Sequence, residues 1–219
     1  MNKIEILKSE KDGLKIKADI PRMAKEGWES ISEDDIQRLK WYGLFLRNPT
    51  PGFFMLRVRI PNGFSVSYQI RALCFIAETF GNGIIDITTR QQVQLRQLKI
   101  ENVPEVFDLL EEAGLTSTQT GLDNVRNIIG CPVAGLNPKE RVNPYAQVKA
   151  LTEHILNNSE FSNLPRKFNV AISGCADDCV HAETQDLALV PAVQEKGGNR
   201  VYGFNVLVGG KLGSGGYRI

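Results

Sequence analysis

Two segments constrain the fold of this chain most: "FFMLRVRIPNG" at 53–63 and "GIIDITTRQQVQLRQLKI" at 83–100. In both, apolar and polar residues alternate, the pattern of a β-strand with one face buried and the other not. In the first, Leu56, Val58 and Ile60 point one way, and Met55, Arg57 and Arg59 the other. Pro61, Asn62 and Gly63 then make a turn. In the second, the spacing predicts one long strand with Ile85, Ile87, Val93 and Leu95 on its apolar face. Thr88, Arg90, Gln92, Gln94 and Arg96 line the opposite face.

Between these strands, "SVSYQIRALCFIAETFG" places Ile70, Leu73, Cys74 and Ala77 at helical core spacing, with Gly81 at the C-terminal end. After them, "VPEVFDLLEEAGL" carries Pro104 in a first helical turn. Strand, helix, strand, helix make an α+β module. Upstream, "SISEDDIQRLKWYGLFL" predicts a helix capped by Ser32, with acids in its first turn and Ile36, Leu39 and Leu44 toward the buried side. "RNPTPG" then breaks the chain.

Downstream, "TSTQTGLDNVRNIIGCPVAG" reads as a polar turn region, and "NPYAQVKALTEHIL" as a helix capped by Asn143 with Pro144 in first position. "LPRKFNVAISG", at 164–174, alternates like a strand: Phe168, Val170 and Ile172 on one face, Lys167, Asn169 and Ala171 on the other. Its plain explanation is a half-solvated antiparallel sheet; its functional one is a polar floor for an anion. "DLALVPA" and "YGFNVLV" complete the strands, and "GGKLGSGG" is either a mobile loop or one that lines a ligand. It lacks the Gly-Lys-Ser/Thr of a phosphate loop. An apolar strand that runs into glycines with no closing element predicts a piece of a longer protein.

With 42% apolar and 23% charged residues in 219, the composition is that of an ordinary globular protein. A net charge of +1 offers no overall attraction for nucleic acid, so any anion site must be local. No apolar run has the length of a signal peptide or a membrane span, which predicts a cytoplasmic protein. Cys74 lies on a helix stripe, as core. Cys175 and Cys179, in "SGCADDC", have a Cys-x3-Cys spacing that could serve iron or zinc, but no second pair accompanies them, and structural thiols are the simpler account. His154 and His181 are too isolated to propose as metal ligands.

The informative coincidence is charge. Segments around Arg57, around Arg90 to Arg96, and around Lys167 each place cations opposite an apolar face, and the polar partners in the set are Gln and Asn rather than Glu. One such strand is ordinary surface; three argue for a shared anionic ligand, since each sheltered charge-assisted hydrogen bond contributes about 1.5–3 kcal/mol. RNA is a poor fit, because that mode stacks bases on aromatics, and here the aromatics point inward.

Together, "RLKWYGLF", "FMLRVRIPNG", "DITTRQQVQLR", "GLDNVRNIIGCPVAG", "NLPRKFN" and "VHAETQDLALVPA" resemble the N-terminal half of the sirohaem-dependent nitrite and sulfite reductases, most closely the ferredoxin–nitrite reductase type. The resemblance implies an α+β fold: a helical N-terminal arm at 1–47, a ferredoxin-like half-domain at 48–116 and a sirohaem-binding domain at 117–219. It implies that Arg90, Gln94 and Arg96 bind sirohaem, a polycarboxylate iron tetrapyrrole. Arg57, Arg126, Lys167 and Asn169 would surround the substrate anion. Asn169 matches the Lys-x-Asn of nitrite reductases rather than the Lys-x-Lys of sulfite reductases, so the implied reaction is six-electron reduction of nitrite to ammonia, with sulfite as the alternative substrate. Reduced ferredoxin is the implied electron donor. The family's 4Fe-4S cluster is held in a C-terminal half beyond this chain; no metal is assigned to Cys175 and Cys179, and the chain alone is expected to be inactive.

Overall fold

In the computed structural model, residues 3–210 are described; Lys211 to Gly216 of the glycine-rich stretch lie outside them. The chain begins with α1 (Lys3–Glu10), α2 (Ile20–Glu26) and α3 (Glu33–Arg38), joined by 3-10 turns. Ser32 caps α3 by accepting the Asp35 N–H at 3.2 Å. The sequence predicts a longer helix here; Leu44 instead opens β1 (Leu44–Arg47), after a turn in which Gly43 adopts φ 74°. A side chain at Gly43 would also stand 2.6 Å from the Arg57 carbonyl, so only glycine lets the strands approach.

The "RNPTPG" break is a hairpin turn into β2 (Thr50–Val58). Next come α4 (Ser67–Phe80), β3 (Ile85–Ile87), β4 (Val93–Leu98) and α5 (Val103–Glu112). The first sheet is antiparallel, in the order β1-β2-β4-β3. Leu56 and Val58 pack with Leu73, Ile76 and Ala77 of α4 and Val106 and Leu110 of α5, in one core that also takes in Leu7, Ile16 and Met23. The long strand expected at 83–100 is a hairpin instead. Thr88 N donates to Gln92 O at 2.9 Å, and Gln91 takes φ 54°, so the chain reverses where the sequence suggests continuous alternation. Ile87 is accordingly 84% exposed rather than core. On α4, Ile70 is exposed and Cys74 half-buried, because the stripe that packs is centred on Leu73, Ile76 and Ala77.

The second sheet contains β5 (Ile129–Gly130), β6 (Val170–Ile172), β7 (Leu187–Lys196) and β8 (Asn199–Val208) in that order. The first three are parallel and the last is antiparallel. Helix α6 (Tyr145–Ile155) makes the crossover from β5 to β6 and buries Val148 and Ile155 against Val170 and Ile172. Asn143 accepts the Tyr145 N–H at 3.0 Å. Val170, Ala171 and Ile172 are all buried, as a central parallel strand requires. The alternation seen in "LPRKFNVAI" is thus not that of a half-solvated strand, and Lys167 sits in a turn at φ 62°.

Between the sheets runs the stretch read as a polar turn. Every residue from Ser117 to Cys131 is buried. Many of its polar groups are paired inside the protein: Asn62 N donates to Ile128 O at 3.1 Å, Asn127 Nδ2 to Ile60 O at 2.7 Å, and Asn124 Nδ2 to Gly121 O at 2.7 Å, although the side-chain oxygens of Asn124 and Asn127 have no partner. This segment covers the arginine face of β2, which the alternation alone leaves open to solvent. Among the described residues, no helix is long and apolar enough to cross a membrane.

Candidate anion and tetrapyrrole site

The first sheet, the buried segment and the β6 approach meet at a cavity of about 250 Å³. Arg57 reaches it from β2, Gln94 from β4, and Thr88, Arg90 and Gln92 from the hairpin turn. Arg126 comes from the buried segment, and Lys167 and Asn169 from the turn before β6. All of these side chains can donate hydrogen bonds, and no carboxylate stands among them. Six of the seven residues singled out in the sequence therefore converge. Arg96 does not line the cavity: its Nε is ion-paired with Asp86 on the neighbouring strand.

The arginines are held from behind. Arg57 stacks its guanidinium over the Phe45 ring at 4.6 Å from the centroid and donates Nη1 to Thr120 O at 3.3 Å. Arg126 donates Nη1 to the same carbonyl at 2.7 Å, while its backbone N–H donates to Phe168 O at 2.9 Å. Arg90 donates Nη1 to Gln185 Oε1 at 3.5 Å. Asn127 Nδ2, by donating to Arg90 O at 3.0 Å and Gln91 O at 3.2 Å, fixes the turn itself. Gln91 pairs with Gly130 in both directions, its Nε2 donating at 2.9 Å and its Oε1 accepting at 3.0 Å. These contacts join the hairpin turn to β5.

Crowded positive charge leaves its mark on the acidities. Burial, then Arg57 and Arg90, push the Arg126 pKa down to about 10; burial, then Arg90 and Arg96, lower that of Arg57. For Arg90, burial lowers the pKa and the Asp186 carboxylate opposes the shift. All three remain cationic at neutral pH, and their mutual repulsion is relieved by an anion. Two donors facing this region, Arg57 Nε and Gln92 Nε2, are buried and have no partner within the protein. That is the donor set a polycarboxylate macrocycle and a small oxyanion need.

The supports escape sequence reasoning. Arg59 reads as a surface arginine, yet it is 1% exposed and donates to the carbonyls of Gln119, Val125 and Arg126 at 2.7, 2.9 and 3.0 Å. Burial, then Arg126, push its pKa down to about 9. Its place two residues after Arg57 in the alternating sequence was the one available signal. Of the cysteines, Cys131 and Cys175 are buried and Cys179 is exposed. Burial, with Cys175 and Cys179 nearby, raises the Cys131 thiol. Among the described residues, no group of three or more His, Cys, Asp or Glu is arranged to hold a metal ion.

Two family models match the chain. Residues 47–113 match the nitrite/sulfite reductase ferredoxin-like half domain, and residues 121–218 the nitrite and sulphite reductase 4Fe-4S domain. The ferredoxin–nitrite reductase of Leptolyngbya laminosa is 51% identical over 216 residues, covering 96% of this chain and 42% of its own length. That of Synechococcus elongatus is 48% identical, covering 98% and 42%. The Mycobacterium tuberculosis NirA structure superposes with a TM-score of 0.86 at 30% identity, over 95% of this chain and 40% of that one. The chain thus spans about two-fifths of the length of the relatives it matches.

Proposed function

Because the chain belongs to the nitrite and sulphite reductase family, we propose that it forms the anion-binding wall of an assimilatory nitrite reductase, converting nitrite to ammonia with six electrons from reduced ferredoxin. The observation that carries this reading is the cavity ringed by Arg57, Arg90, Arg126, Lys167, Gln92, Gln94 and Asn169, without a carboxylate.

Arg90 and Gln94 would hold carboxylates of sirohaem; Arg96, ion-paired with Asp86, would reach one only by leaving that partner. The cofactor supplies the electron transfer and N–O bond cleavage. Arg57, Arg126 and Lys167 draw in the anion and stabilise negative charge as oxygen leaves. Lys167, the exposed cation of the three, is placed to pass protons from solvent. Asn169 donates a neutral hydrogen bond, which suits a monoanion. A 4Fe-4S cluster would supply electrons to the site in the whole reductase, and no ligand for it is assigned in this chain. The boundaries at 47/48 and 116/117 remain our division of the chain. The free thiols fit a reducing compartment, the cytoplasm.

The test uses the chain itself and uroporphyrin, a metal-free octacarboxylate porphyrin. Absorbance titration at low ionic strength should show saturable binding that weakens steeply with salt. Absence of binding at low salt rejects the assignment of this cavity to a carboxylated tetrapyrrole. For the complete enzyme, nitrite consumption with reduced ferredoxin must exceed sulfite consumption.

A further inference from the structure

The two walls of the cavity are tied together by consecutive residues that do not line it. Gln185 and Asp186 stand immediately before β7. Gln185 is 7% exposed, and its Nε2 donates to Val180 O at 2.9 Å and His181 O at 3.2 Å. With the amide nitrogen so engaged, Oε1 is left to accept from Arg90 Nη1 at 3.5 Å. Asp186 faces the other wall: its Oδ2 accepts the Asn169 N–H at 2.7 Å. Leu187 N donates to Asn169 O at 3.1 Å, so both backbone groups of Asn169 are held from 186–187. Gly209 N, at the end of β8, donates to Asp186 O at 3.0 Å and anchors the support in turn.

What is held does not hold itself. Lys167 occupies φ 62°, a conformation that costs an ordinary residue about 1 kcal/mol or more and persists only where surroundings impose it. The segment from Leu164 to Asn169 forms no strand. Asn169 is its last residue before β6, and Asp186 secures it there.

We propose that Gln185 and Asp186 are a positioning pair: Gln185 sets Arg90 on one wall, Asp186 sets Lys167 and Asn169 on the other, and their adjacency fixes the separation of the walls. That separation determines which anions fit. This inference rests on the anion-binding reading above. Neither residue touches the ligand, so neither is catalytic. The Asp186 carboxylate also opposes the lowering of the Arg90 pKa that burial causes.

The variants Asp186→Ala, Asp186→Asn and Gln185→Ala test it in the chain, with two readouts. The first is hydrogen exchange of the Asn169 amide. The second is uroporphyrin affinity. Asp186→Ala should speed exchange at Asn169 and weaken porphyrin binding, each about tenfold, the loss of one hydrogen bond to a charged group. Asp186→Asn keeps an acceptor and should restore both to within about threefold. Gln185→Ala should weaken porphyrin binding and leave Asn169 exchange unchanged, since its contact is with Arg90. Unchanged exchange and affinity in Asp186→Ala overturn the proposal, as does an Asp186→Asn variant no better than Ala. If Asp186→Ala loses its cooperative melt, Gln185→Ala decides through porphyrin affinity alone, and wild-type affinity there overturns it. If the wild-type chain binds no porphyrin, the functional reading fails, and the exchange measurement still judges the support of Asn169.

Discussion

Arg59, buried just past the end of β2, donates its Nη1 to the backbone carbonyl of Arg126 at 3.0 Å, so one sequestered cation supports the peptide that carries another. Two further carbonyls, of Gln119 and Val125, accept from its Nη2. Replacing Arg59 with Met fills the volume but leaves these buried acceptors without donors. We expect a loss of about 3 kcal/mol or more in urea denaturation, with Arg59→Lys intermediate because an ammonium cannot reproduce the fork. A loss below about 1 kcal/mol would show that water replaces the guanidinium there.

Arg126→Ala should cut uroporphyrin affinity about tenfold and lower its salt dependence, with little change in melting temperature. Its side chain donates to one carbonyl, whereas its backbone, retained in the variant, makes the contact with Phe168. Equal salt slopes for the two proteins would place its charge outside the binding field.

The pH dependence follows from the sign of the Arg126 shift. Its folded pKa, about 10, lies below the ordinary arginine value, and only the protonated form attracts an anion. Porphyrin binding should therefore stay level from neutrality to about pH 9 and fall as pH passes 10. A decline centred near pH 7 would implicate a different group.

Asn169→Lys adds a cation where Arg57, Arg126 and Lys167 already converge. A dianion gains more than a monoanion from one added charge, so the ratio of sulfite to nitrite affinity should rise about tenfold. Calorimetric titration of each anion into the wild-type and variant chains measures it. An unchanged ratio would show that residue 169 does not set selectivity.

Gly43→Ala should destabilise the chain by about 2–3 kcal/mol, from positive φ and contact with the Arg57 carbonyl and the Thr120 hydroxyl together. Arg57 N donates to Gly43 O at 2.9 Å, so the strain enters the site directly, and porphyrin affinity should fall with stability.

The parts of the fold legible in advance were those that obey a period. Leu56 and Val58 on β2, Pro104 opening α5 and Ser32 capping α3 all follow from local rules. The hairpin at Thr88–Gln92 was not legible, because "TTRQQ" lacks glycine and its left-handed residue is Gln91, stabilised by bonds to Gly130 some forty residues away. The burial of Ser117–Cys131 was hidden for the same reason: its polar residues imitate a surface turn, and only partners such as Arg59 and Ile60 make it an interior. Charge and family resemblance found Arg57, Arg90, Gln94, Arg126, Lys167 and Asn169, which the cavity gathers. They could not find Gln185 and Asp186, whose importance lies in what they hold.

Thr120 offers a single carbonyl oxygen to both Arg57 and Arg126. Two guanidiniums tethered to one peptide plane cannot drift separately; any tilt of that plane re-aims both. Either deletion alone leaves the carbonyl one donor, so removing both should cost more stability than the sum of the two single losses.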